Sequence, residues 1–175
     1  MKYLQINNQL FIKNRQLFKS RVSSNTLAIF NSNDVMPTNA DGTMLFRQNN
    51  DLFWLSGVDQ EESVLLIYPD NEGEKEILFL KETNKHIAIW EGAKLDKKEA
   101  LKVSGIRTVY WLSEMGNKLE ELINKSDGVY LNKNIHSRSD CNHLDNTHPD
   151  FNNLIGYRFY VLLTQILNSH YLLEF

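Results

Sequence analysis

At 175 residues, 42% of them hydrophobic and 23% charged, this chain has an ordinary globular balance and is long enough to bury a real core as one domain. A net charge of −3 leaves no electrostatic footprint for nucleic acid or an anionic membrane, and no apolar run approaches the roughly 20 residues that span a bilayer. The single cysteine, Cys141, excludes an internal disulfide, and the opening MKYLQINNQLF is too polar for a signal peptide, so a cytoplasmic location is expected.

The first element expected is an amphipathic helix over 8–22. Leu10, Phe11, Leu17, Phe18 and Val22 share one side of it, with Lys13, Asn14, Arg15 and Lys19 mostly opposite. Ser23-Ser24-Asn25 ends it, and 26–30 reads as a strand. Residues 31–43 form a loop, marked by Asn33-Asp34, Pro37 and Asp41-Gly42.

The stretch 46–69 then organises the rest. Its opening is charged and amide-rich (Arg47, Gln48, Asn49, Asn50, Asp51), and an aromatic pair follows (Phe53, Trp54). Asp51 is the expected N-cap of a short helix through Leu55, with Gly57 as its left-handed stop. Val64, Leu65, Leu66 and Ile67 form a continuous apolar run, expected of a strand buried on both faces. Arg47, Asn49 and Asp51 lead into aromatics that read as buried, which favours a structural polar network holding this turn. Glu61 and Glu62 are adjacent and would face opposite ways on a strand, so they form no catalytic dyad; a solvated loop is expected there.

Residues 70–74 read as a hairpin connection and 75–80 as its second strand, antiparallel to the first. A helical segment is expected over 84–91, closing on Trp90 with Gly92 as its stop. Another helix follows over 96–103, with Asp96 and Glu99 in capping-box spacing and Gly105 at its end. Residues 107–111 read as a strand. Ser113 then caps a helix whose Met115, Leu119, Leu122 and Ile123 share a face, and Asp127-Gly128 turns into a strand at 129–131. Residues 132–153 are polar and read as a loop, 157–163 as a last strand, and 165–175 as a helix or connector. Alternating strands and helices argue an α/β domain with a mixed β-sheet flanked by helices.

Four stretches together resemble the N-terminal domain of aminopeptidase P, the Xaa-Pro aminopeptidases, whose prolidase and creatinase relatives share the fold. They are AIFNSNDVMPTNADGT (28–43), FRQNNDLFWLSG (46–57), EILFLKETNKHIAIWEG (76–92) and TVYWLSEM (108–115). In order and spacing the likeness covers about residues 1–134 and fades over 135–175, so 1–175 is taken as one such domain with a divergent tail and connector. The resemblance implies a ribonuclease-H-like topology. It also implies a role in hydrolysing the bond between an N-terminal residue and a following proline. The family's engine is a pair of divalent metals, usually Mn2+, in a C-terminal pita-bread domain, where they activate a bridging water and polarise the scissile carbonyl. None of those ligands can be placed in this chain, so no catalytic or metal residue is assigned here.

The implied partners are therefore the catalytic domain of the same polypeptide, further copies in a dimer or tetramer, and peptides with proline second. Two positions match residues that close a neighbouring subunit's pocket in tetrameric relatives: Asp41 in NADG and Trp90 in IWEG. The resemblance offers Asp41 to a substrate amino group or a nearby cation, and Trp90 as an apolar wall to a proline ring or leading side chain. Against this, an Asp before Gly is ordinarily a turn residue, and a Trp after an apolar run is ordinarily core.

The alternative is a stand-alone interaction module of the same fold. A third reading, a metal site from His136, Asp140, Cys141, His143, Asp145 and His148, matches no standard spacing; a polar surface loop is the better account.

Overall fold

The structure, a computed structural model, describes residues 4–40, 42–84, 86, 88–89, 92–131 and 172–173. Helix α1 (Gln9–Lys19) leads into β1 (Thr26–Asn31), and α2 (Asn50–Ser56) into the hairpin β2 (Ser63–Ile67) and β3 (Glu76–Leu80). Then come α3 (Lys97–Ser104), β4 (Thr108–Trp111), a 3-10 turn (Leu112–Glu114), α4 (Met115–Lys125), β5 (Gly128–Leu131) and β6 (Leu172–Leu173). The helices and strands expected over 8–80 and 96–131 are present with ends moved by up to about three residues; of the helix expected over 84–91 only residues 86, 88 and 89 are described as helical, and the loop expected over 132–153 lies outside the described residues. The predicted strand over 157–163 lies outside the described residues. Residues 172–173, expected within a helix or connector, instead form a strand beside β5.

The six strands lie in the order β4-β3-β2-β1-β5-β6. β2 is antiparallel to both β1 and β3, while β3–β4, β1–β5 and β5–β6 are parallel. Only β2 therefore runs against the rest. The order β3-β2-β1-β5-β6 with one reversed strand is the ribonuclease-H-like arrangement, and β4 is an addition beyond β3.

The strand side chains alternate between two cores. On one face Leu27, Ile29, Val64, Leu66, Ile77, Phe79 and Val129 pack on Leu119, Leu122 and Ile123 of α4. On the other, Ala28, Phe30, Leu65, Ile67, Leu78 and Leu80 meet Leu52 and Leu55 of α2, Ala100 of α3 and Phe18 of α1. The run 64–67 is buried on both faces, as its unbroken apolar character requires.

Helix α1 departs from its amphipathic reading. Leu10 and Leu17 are 49% and 44% exposed, whereas Arg15 is 1% exposed and Asn14 is buried. The physical reason is that α2 and α3 both end beneath α1, and their last carbonyls need donors. Arg15 Nη1 donates to Leu55 O at 2.7 Å and Ser104 O at 3.0 Å. Arg15 Nε donates to Glu76 Oε2 at 2.8 Å, and Asn14 Nδ2 to Trp54 O at 2.8 Å. A cation at two helix C-termini also meets the negative end of both dipoles. One side chain thus joins α1, α2, α3 and the first residue of β3.

Gly57 stops α2 in the left-handed region (φ 69°), as expected, and it also lets the Phe11 ring approach. A Cβ at this position would lie 2.2 Å from that ring. Gly57→Ala is expected to lower unfolding free energy by about 2–5 kcal/mol, from overpacking plus left-handed strain. Urea denaturation checks this; a loss below about 1 kcal/mol would contradict the close approach.

Candidate functional site

The organising turn is held by different atoms from those the residue pattern suggested. The N-cap of α2 is Asn49, whose side chain accepts from the backbone N–H groups of Asp51 (2.9 Å) and Leu52 (3.3 Å). Asp51 sits in the first turn, exposed, where its charge suits the helix dipole. Gln48 carries the anchoring. Its Nε2 donates to Val58 O (3.1 Å) and Gln60 O (2.8 Å), and its Oε1 accepts from Asn49 N (2.7 Å). Arg47 is exposed and contributes its carbonyl, which accepts from Asn33 Nδ2 at 3.0 Å. The polar network exists, with Gln48 and Asn49 at its centre. Of the aromatic pair, Phe53 meets Phe11 edge-on with centroids 6.1 Å apart, while Trp54 is 45% exposed rather than buried.

Glu61 and Glu62 are half-buried and paired, not simply solvated. Glu61 accepts from Lys94 Nζ, and Glu62 from Lys81 Nζ at 3.1 Å. Burial alone would raise the Glu61 carboxyl; the Lys94 hydrogen bond and charge outweigh it, and the group is held below its ordinary value. Gln60 Oε1 also accepts from Leu95 N at 2.9 Å. The segment 94–95 is therefore tied to the loop after α2.

The predicted site residues Asp41 and Trp90 both lie outside the described residues; what is described is the backbone around them. On either side of position 41 the chain pairs into an arm: Pro37 and Thr43 make an antiparallel bridge, and Met44 N donates to Met36 O at 2.8 Å. Thr38 N donates to Gly42 O (2.9 Å) and Gly42 N to Asn39 O (3.0 Å). Met36, Met44 and Leu45 are 55%, 58% and 70% exposed on this arm. Near position 90, residues 86, 88 and 89 are helical, and Ala88 N donates to Asn84 O at 3.0 Å. Gly92 has φ 81°, the left-handed geometry expected of a helix stop.

In the helices beyond, the Asp96–Glu99 capping box is complete. Ser113 does not cap α4. It lies inside the 3-10 turn, and its hydroxyl bonds Glu82. Glu114 Oε2 instead accepts from Trp111 N at 2.8 Å.

Among the described residues no group of three or more His, Cys, Asp and Glu side chains is placed to hold a metal ion. A two-manganese centre therefore has no fit among them. The histidine-rich tail considered as a metal site falls outside them. No described helix is long and apolar enough to cross a membrane.

Comparison with known proteins agrees with this architecture. Residues 11–130 match the family model described as aminopeptidase P, N-terminal domain. The chain is similar to an Xaa-Pro aminopeptidase of Escherichia coli, 28% identical over 127 residues, which are 72% of this chain and 29% of that protein. It is also similar to an uncharacterised peptidase of Saccharomyces cerevisiae, 31% identical over 119 residues, or 68% of this chain and 21% of that one. Among solved structures, aminopeptidase PepP of Pseudomonas aeruginosa superposes with a TM-score of 0.74 at 20% identity, covering 99% of this chain and 37% of that one. The chain thus spans about a fifth to a third of the length of the curated relatives it matches. The family match runs from α1 into β5, through the strands and the turn described above, and the chain belongs to the aminopeptidase P N-terminal domain family.

Proposed function

We propose that this chain is the N-terminal, non-catalytic domain of a metal-dependent Xaa-Pro aminopeptidase, serving assembly and access to the active site. The observation that carries this reading is the continuous family match over residues 11–130, in relatives that are peptidases several times longer than the match. The catalytic half, with two Mn2+, is assigned to the rest of that polypeptide, and no chemical step is written through residues described here. Asp41 and Trp90 are proposed to reach a substrate pocket, Asp41 toward a cation or amino group and Trp90 as an apolar wall. Both roles rest on the matches of NADG and IWEG to the family's motifs. Assembly into a dimer or tetramer and a cytoplasmic location belong to the same proposal.

The test is catalytic. The longer polypeptide, supplied with Mn2+, is expected to release the first residue from a peptide with proline second, and a chelator is expected to abolish this. The 175-residue chain alone is expected to show no cleavage above the metal-only control. A metal-loaded longer polypeptide that cleaves other peptides but spares Xaa-Pro bonds would overturn the assignment.

A further inference from the structure

The chain between Lys81 and Lys94 carries Trp90, and both of its ends are tied to one short turn, residues 60–62. At the start, Lys81 N donates to Glu62 O at 3.1 Å, and Lys81 Nζ pairs with Glu62 Oε1 at 3.1 Å. At the end, Lys94 Nζ donates to the Glu61 carboxylate, and Leu95 N donates to Gln60 Oε1 at 2.9 Å.

The turn is itself anchored. Gln48 Nε2 donates to Gln60 O at 2.8 Å, and Ser63 Oγ to the same carbonyl at 3.1 Å. Glu62 takes φ 53°, a left-handed conformation that residues of its type seldom adopt and that persists only where the surroundings fix it. Of the two ion pairs, Glu61–Lys94 is the better sheltered. Its side chains are 18% and 14% exposed, against 32% and 29% for Glu62–Lys81, so solvent screens it less.

The hairpin ladder does not need the Glu61–Lys94 pair. It runs Ser63–Ile67 against Glu76–Leu80 and stops short of both residues. What the pair and the Gln60–Leu95 bond do is fix where the segment from Lys81 returns. We infer that residues 60–62 are a clasp that positions the Trp90-bearing segment, with Glu61 and Lys94 as positioning residues for the substrate pocket. The inference rests on the pocket role proposed above for Trp90.

The first measurement needs no peptidase activity. In the 175-residue chain, amide hydrogen exchange is followed at Ala88, whose N–H donates to Asn84 O within the segment, and at Leu65 and Leu66 in β2. Glu61→Gln and Lys94→Met are each expected to speed exchange at Ala88 at least about fivefold and to leave Leu65 and Leu66 unchanged. An unchanged rate at Ala88 in both variants overturns the inference, as does equal speeding at all three amides. The second measurement uses the longer polypeptide with Mn2+ and a peptide with proline second. Glu61→Gln is expected to lower kcat/KM about 3–10-fold, but less than about 1.5-fold in a Trp90→Ala background, where nothing is left to position. An equal loss in both backgrounds overturns the positioning role. A polypeptide that never cleaves the peptide fails the peptidase reading instead, and exchange at Ala88 then decides the clasp by itself.

Discussion

Arg15→Ala is expected to lower the unfolding free energy by about 3–5 kcal/mol, the usual cost of removing one partner from a buried charge network. Three things are lost together: a donor to Leu55 O, a donor to Ser104 O, and a charge-assisted bond to Glu76. Lys19 still reaches Glu76 Oε1 at 2.6 Å, so the carboxylate keeps one cation and the two helix ends bear most of the damage. Arg15→Lys should recover only part, because one ammonium lacks the planar fork that serves two helix ends and a carboxylate at once. A urea denaturation series checks this; a loss below about 1 kcal/mol for Arg15→Ala would remove Arg15 as the joint of the fold.

The same network carries a pH dependence. Burial alone would raise the Glu76 carboxyl; the Lys19 hydrogen bond and the Arg15 charge and hydrogen bond outweigh it, so the folded value lies below the ordinary one. A depressed carboxyl contributes stability that is fully present above the unfolded value, about 4.3, and is lost as pH falls through the folded value. Glu76→Gln should therefore lower stability at neutral pH and flatten the acid limb of the stability curve. An acid limb unchanged in that variant would contradict the ion-pair account.

Trp90→Ala in the longer polypeptide is expected to lower kcat/KM for an Xaa-Pro peptide by about 10–100-fold, the scale of losing an apolar pocket contact. Its melting temperature is expected to hold. A stability loss of about 3–5 kcal/mol with little change in activity would instead mark Trp90 as core. Asp41→Asn should act in the same direction on peptides with a free amino terminus, and spare an amino-blocked ligand's binding.

Strands β1 to β5 were legible because their information is local; β6, two residues long, was not. The unbroken run Val64-Leu65-Leu66-Ile67 reports burial on both faces without reference to any other part of the chain. The capping box at Asp96 and the stops at Gly57 and Gly105 are likewise decided within five residues. The phase of α1 was not legible. A periodicity count sees Leu10 and Leu17 as core and Arg15 as solvent; only the convergence of two helix C-termini, 40 and 89 residues away, makes Arg15 the buried member. The cap of α2 shows a second limit. Asn49, Asn50 and Asp51 are all good capping types, and the choice falls to Asn49 because Gln48 pins its backbone from Val58 and Gln60. For the site, Asp41 and Trp90 rest on the motif match alone.

The most direct test of the central claim is the intact mass of the native product, captured by antibody from its source cells and weighed by mass spectrometry. A polypeptide well above 20.4 kDa is expected, in which this domain precedes a metal-binding catalytic half. A native product of 20.4 kDa would contradict it, since no catalytic half would share the chain, and a stand-alone interaction module would then be the better description.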